Sequence, residues 1–145
     1  MYLAKTYNQN KQSQNAKQIY EQECNNNCME ACWNIGFMYE FGLGESTVNE
    51  KKALKYYKIA CDNNFYEACY NLGLMYDSLK ANTKNENLAY QLYEKACYGK
   101  YASACTMLGM KYQENKKNRI KAKVFYKKGC DLNDEDSCKL YNKLN

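Results

Sequence analysis

Residues 57–76 read "YKIACDNNFYEACYNLGLMY", and residues 93–112 read "YEKACYGKYASACTMLGMKY". Each stretch carries two cysteines eight positions apart, Cys61 with Cys69 and Cys97 with Cys105. The same spacing recurs at Cys24 and Cys32 and at Cys130 and Cys138, with successive pairs offset by 37, 36 and 33 residues. A fixed spacing that returns at nearly constant offset is the signature of an internal repeat. Other columns keep the same register. Ala16, Ala53, Ala89 and Ala122 stand eight residues before each first cysteine, and Tyr20, Tyr57, Tyr93 and Tyr126 stand four before it. Ala31, Ala68, Ala104 and Ser137 precede the second cysteine, and Gly36, Gly73 and Gly109 follow it by four, with Asn142 breaking that series.

Each half of the repeat reads as a helix. Ala53, Tyr57, Ala60 and Cys61 fall at i, i+4, i+7 and i+8, which is one helical face. Asn49, Asn85 and Asn118 precede these segments at one offset and suit an N-cap, where a side-chain oxygen accepts from an otherwise unpaired N–H. The second segment gathers Ala68, Cys69, Leu72, Gly73 and Tyr76 on one side, where small residues facing a large tyrosine let neighbouring helices approach closely. The unit is therefore a helix ending at one cysteine, a tight turn such as "DNNFY", and a helix beginning near the next cysteine.

Three chemistries compete for the cysteines. Structural zinc favours short Cys-x2–4-Cys pairs, often with His, and this chain has no His. Buried thiols account for one column, less well for two in matched positions on facing helices. A disulfide across each turn accounts for both columns and suits a secreted framework. Each bridge would contribute roughly 2–4 kcal/mol, towards the low end because the closed loop is short. Cys28 remains over, at the turn position held by Phe65 and Tyr101 in the next units. It reads as a small apolar plug, or alternatively as a reactive thiol or a partner for Cys24 or Cys32.

Composition sets the remaining bounds. The 145 residues, 46% of them hydrophobic, are enough for one modest domain. The absence of proline and the supply of Ala, Leu, Lys, Glu, Gln and Met favour helix. A net charge of +5 names no partner. No apolar run approaches the roughly 20 residues of a membrane span, and the opening "MYLAKTYNQN" lacks the pattern of a secretion signal.

With "FGLGESTVNEKKA" leading into "KALKYYKIACDNNFYEACYNLGLMY", the chain resembles the Sel1-like repeats, relatives of the tetratricopeptide repeat. Its doubled cysteines resemble the disulfide-bridged branch known as the Helicobacter cysteine-rich proteins. The resemblance covers nearly the whole chain. It departs at "SLKANTKNENLA", which lacks the Gly-x-Gly turn of Gly42 and Gly44, and at the shorter turn after Tyr112. The implied fold is all-α: an α-solenoid of disulfide-stapled helix pairs forming a right-handed superhelix, spanning residues 1–145 as one repeat domain.

The register also reaches the start of the chain. Tyr2 falls in the column of Tyr39, Tyr76 and Tyr112, so the N-terminus is expected to begin midway through a repeat. It would then be an internal start of a longer array, or a half-helix serving as a cap. Four cysteine pairs favour a periplasmic or secreted protein, with the cytoplasm as the alternative.

Function is expected on the second helix of each pair. There the core columns leave a stripe at offsets 0, 3, 4, 7 and 10, one face of a helix. It comprises Glu67, Tyr70, Asn71, Leu74 and Asp77, with Glu30, Trp33, Asn34, Phe37 and Glu40 before it and Ser103, Thr106, Met107, Met110 and Gln113 after it. In tetratricopeptide relatives this helix lines the concave face, which the resemblance carries over to Glu30, Trp33, Asn34, Phe37, Glu67, Tyr70, Asn71, Leu74, Thr106 and Met110. Rings bury side chains and amides pair with backbone, which suits a peptide or protein segment. Trp33, the single Trp, is the expected anchor. The competing reading is that the stripe is helix packing.

The expected function is a non-catalytic, monomeric scaffold with no cofactor and no metal. The resemblance offers an alternative, since proteins of this branch are often labelled β-lactamases: a protein binding a β-lactam or cell-wall muropeptide, with weak hydrolysis. None of Ser13, Ser46, Ser78, Ser103 or Ser137 has Lys three residues later, so the serine-enzyme pattern is missing. Without His, a Ser–His system cannot form. The seven basic residues from Lys116 to Lys128 read as a solvated outer face, and no nucleic-acid partner is expected.

Overall fold

The computed structural model describes residues 13–44, 47–78, 85–114 and 117–145. The expected half-helix around Met1 and Tyr2 and the divergent turn at 79–84 lie outside them. Among the described residues the regular structure is helical. In chain order the helices are α1 (Ser13–Asn25), α2 (Met29–Phe41), α3 (Glu50–Asp62), α4 (Tyr66–Asp77), α5 (Glu86–Tyr98), α6 (Ala102–Glu114), α7 (Arg119–Asp131) and α8 (Glu135–Lys143).

Two kinds of connection alternate. The tight ones, from α1 to α2, α3 to α4, α5 to α6 and α7 to α8, share one backbone design. Asn27, Asn64, Lys100 and Asn133 take φ of 64°, 65°, 69° and 67°. In the second turn the Phe65 N–H donates to Ala60 O and the Asn64 N–H to Cys61 O, and the other three turns repeat this pairing. That is the Schellman arrangement, in which a left-handed residue lets two trailing amides satisfy the last helical carbonyls. The following residue, Cys28 or Phe65, immediately serves as N-cap of the next helix. Asn tolerates the left-handed region and Lys does so less readily, so Lys100 holds a conformation its side chain disfavours.

This turn brings the cysteines together. Bridges join Cys24 to Cys32, Cys61 to Cys69, Cys97 to Cys105 and Cys130 to Cys138, with Cα–Cα distances of 4.5–4.7 Å. The molecule is an α-solenoid of disulfide-stapled helix pairs. Cys28 stands outside the bridges, half-buried and packed on the core.

The longer connections absorb the variation in repeat length. Asn49, Asn85 and Asn118 cap α3, α5 and α7, accepting from Lys52, Leu88 and Lys121 N–H at 3.0–3.1 Å. Their own N–H groups donate back to Tyr39, Tyr76 and Tyr112 O at 2.7–2.8 Å. The paired residues lie ten, nine and six positions apart, and these differences match the spread in the cysteine offsets. Insertions are thus confined to loops closed by one conserved-geometry bond.

Packing between units centres on one ring. Gly36, Gly73 and Gly109 lie against the rings of Tyr57, Tyr93 and Tyr126, and an added Cβ on Gly73 would sit 2.7 Å from the Tyr93 ring. The tyrosines are at most 1% exposed, and each hydroxyl donates to the preceding unit: Tyr57 to Glu40 at 2.6 Å, Tyr93 to Asp77 at 3.4 Å, Tyr126 to Gln113 at 2.9 Å. Burial first, and then the carboxylates of Glu40, Asp77 and Glu114 beside Tyr57, Tyr93 and Tyr126, push these phenols above their ordinary range. Helices pack mainly on their sequence neighbours, and α6 also meets α8 directly.

Candidate functional site

The stripe lies on α2, α4 and α6, and its columns differ in burial from their neighbours. Ala31, Cys32, Ile35, Ala68, Cys69, Ala104, Cys105 and Leu108 are fully buried. Glu30, Trp33, Asn34, Glu67, Tyr70, Asn71, Leu74 and Thr106 are half-buried, while Phe37 and Met110 are exposed at 36% and 39%. The fold therefore spends the first set on its core and leaves the second at the surface.

Several stripe residues also stitch the helices to one another. Trp33 Nε1 donates to Asn71 Oδ1 at 3.3 Å, joining α2 to α4. Lys111 Nζ lies 2.7 Å from both Asp77 oxygens, joining α6 to α4. Thr106 Oγ1 lies 2.5 Å from Asp134 Oδ2 and from Ser137 Oγ, joining α6 to α8. Burial opposes ionisation of Asp134, but the Thr106 and Ser137 hydroxyls and the Ser137 and Asp136 N–H groups outweigh it and hold the carboxyl below its usual range. Trp33 and Asn71 thus carry structural contacts, so truncating either removes packing as well as any ligand contact. Glu40, Asp77 and Gln113 accept the tyrosine hydroxyls described above.

What remains at the surface falls into two patches. The rings of Phe41, Phe37 and Trp33 on α2 and of Phe65 at the N-cap of α4 follow one another with centroids 4.6, 6.0 and 5.9 Å apart. Beside them the Asn34 amide nitrogen is shut off from solvent without a hydrogen-bond partner among the described residues. Across α4, α6 and α8, Tyr70, Ser103, Thr106, Met107, Met110, Asp134 and Asp136 line a shallow depression of about 190 Å³. Tyr70 also packs on Tyr101, centroids 5.3 Å apart.

Phe41, Phe65, Tyr101, Asp134 and Asp136 were outside the expected site. Phe41 was legible, one turn beyond Phe37. Phe65, Tyr101 and Asp134 share the turn column of Cys28, and only the Schellman turn shows that this column borders the stripe. Lys111 was also missed, though it stands in the column of buried Met38 and Met75. Among the described residues no group of three or more His, Cys, Asp or Glu could hold a metal ion, and no helix is long and apolar enough to cross a membrane.

The Sel1 repeat model matches residues 30–65, 67–101 and 102–134. The structure is similar to a Sel1 repeat protein from Oxalobacter formigenes, with TM-score 0.86 and 21% identity over 98% of this chain and 60% of that one. It is similar to c5321, a protective antigen of uropathogenic Escherichia coli strains displaying an SLR fold, with TM-score 0.85 and 17% identity over 99% of this chain and 32% of that one. Cysteine rich protein B of Helicobacter pylori aligns with TM-score 0.66 and 28% identity, over 88% of this chain and 93% of its own. The chain thus spans less than two thirds of the length of the first two. No curated protein shows significant similarity to the sequence.

Proposed function

The chain belongs to the Sel1 repeat family, and from that premise we propose that it is a non-catalytic scaffold binding an extended peptide or protein segment along α2, α4 and α6. Sel1 repeats generally mediate protein interaction. The observation that carries the narrower reading is the burial contrast: beside fully buried columns, side chains of one stripe stay half-buried or exposed in three successive units, with Phe37 and Met110 the most open. Phe37 and the rings beside it offer apolar contact for a segment's side chains. Around the depression between α4, α6 and α8, Asp134 and Asp136 favour a segment carrying Lys or Arg.

The bridges contribute by holding these groups in place before the ligand arrives, so little ordering entropy is lost on docking. Four bridges also favour an oxidising compartment, the periplasm or the cell exterior, as the protein's residence. The test is selection from a displayed library of random peptides on the oxidised protein. Phe37→Ser and Met110→Ser, both at exposed positions, should weaken selected peptides about tenfold or more with no change in melting temperature. Peptides that bind both variants as well as the parent would remove the site from this face.

A further inference from the structure

The α7 helix departs from its sister helices on the outward side. Two columns there are polar in the other units: Lys51 and Asn87 in one, Gln18, Lys55 and Gln91 in the other, all exposed. The corresponding residues of α7 are Ile120 and Val124, which are 80% and 48% exposed. The solenoid forms with polar residues at these positions, so folding does not ask for the apolar ones. They lie four apart on one face, and Lys128 follows at the same interval.

The surroundings are cationic. The α7 helix carries Arg119, Lys121, Lys123, Lys127 and Lys128 against the single acid Asp131, which pairs with Lys127 at 2.9 Å. Lys121 Nζ lies 5.0 Å from the Tyr112 ring and Lys128 Nζ 4.8 Å from the Tyr98 ring, and Tyr98 is itself 62% exposed. Exposed aliphatic side chains and flanking lysines on α7, with a surface tyrosine of α5 beside Lys128, are a composition that suits an anionic bilayer surface.

We propose that the outward face of α7, with Tyr98 of α5, docks on a membrane surface rich in anionic lipid. Lys121 and Lys128 meet the headgroup phosphates, and Ile120, Val124 and Tyr98 enter the boundary with the acyl chains. Charge alone would suit nucleic acid equally, but Ile and Val neither stack on bases nor read their edges, whereas an acyl boundary takes them up. The α7 face is separate from the α2, α4 and α6 stripe, so this docking stands whether or not a peptide binds there.

Co-sedimentation of the oxidised full chain with large vesicles tests it, using phosphatidylcholine alone and phosphatidylcholine with added phosphatidylglycerol. Binding is expected only with the anionic lipid, and it should weaken as salt is raised. Lys121→Gln and Lys128→Gln should each cost about fivefold in partitioning. Ile120→Asn with Val124→Gln, residues the sister helix carries at these columns, should cost about tenfold or more and leave the melting temperature unchanged. Absence of binding to anionic vesicles, or equal binding to both, overturns the proposal. So does an unchanged affinity in the Ile120→Asn/Val124→Gln variant, and so does tighter binding of RNA that survives that variant.

Discussion

A glycine in mid-helix ordinarily weakens the helix, by roughly 0.5–1 kcal/mol relative to Ala. At Gly36, Gly73 and Gly109 that cost is accepted because a buried tyrosine ring of the next helix occupies the space where Cβ would be. Gly73→Ala sets the two effects against each other. The propensity gain is under about 1 kcal/mol, while overpacking a fully buried ring costs about 1–3 kcal/mol. The variant is therefore expected to be less stable by about 1–2 kcal/mol, read as a lower urea midpoint at unchanged m-value. A higher midpoint would mean that the Tyr93 ring can retreat and that the glycine column has another cause.

Between elements, the instructive pair is Asp77 of α4 with Lys111 of α6. The two side chains are only 21% and 10% exposed, so their charges are largely removed from water. Removing one partner of such a pair is far more costly than replacing both with apolar groups. Asp77→Ala should cost about 3 kcal/mol, because it leaves the Lys111 ammonium buried without its counter-charge. Adding Lys111→Met should recover the part due to the stranded ammonium, since Met38 and Met75 already fill this column in the preceding units, while the Tyr93 hydroxyl still lacks its acceptor. Thermal or urea unfolding of the two singles and the double closes the cycle. Additive losses would show that the two residues act independently.

At the scale of the whole molecule, stability is a sum over units and their interfaces, so the units need not open together. Burial ranks them. The six cysteines of the first three bridges are at most 7% exposed, whereas Cys130 and Cys138 are half-buried. Stepwise addition of reductant followed by alkylation and mass spectrometry should therefore label Cys130 and Cys138 before the other bridged cysteines. Each bridge closes a short loop and contributes about 2–3 kcal/mol. Opening the last should lower the melting temperature without unfolding the earlier units. Simultaneous reduction of all four bridges would indicate a single cooperative unit.

The sequence by itself determined the repeat, the helix pairs, the Asn caps and the cysteine partnership. Each rests on local spacing: 3.6-residue periodicity, a cap one residue before its helix, a turn short enough to join positions eight apart. Loop variation was legible too, since the offsets of 37, 36 and 33 residues already showed that length changes while the helices do not. Only the tertiary structure decided which surface residues are engaged across units. Periodicity assigns Trp33, Asn71, Asp77 and Lys111 to faces, but the partner on the next unit depends on how far and at what angle that unit is displaced. That displacement turns Trp33 onto Asn71 and Lys111 onto Asp77, and leaves Phe37 and Met110 at the surface.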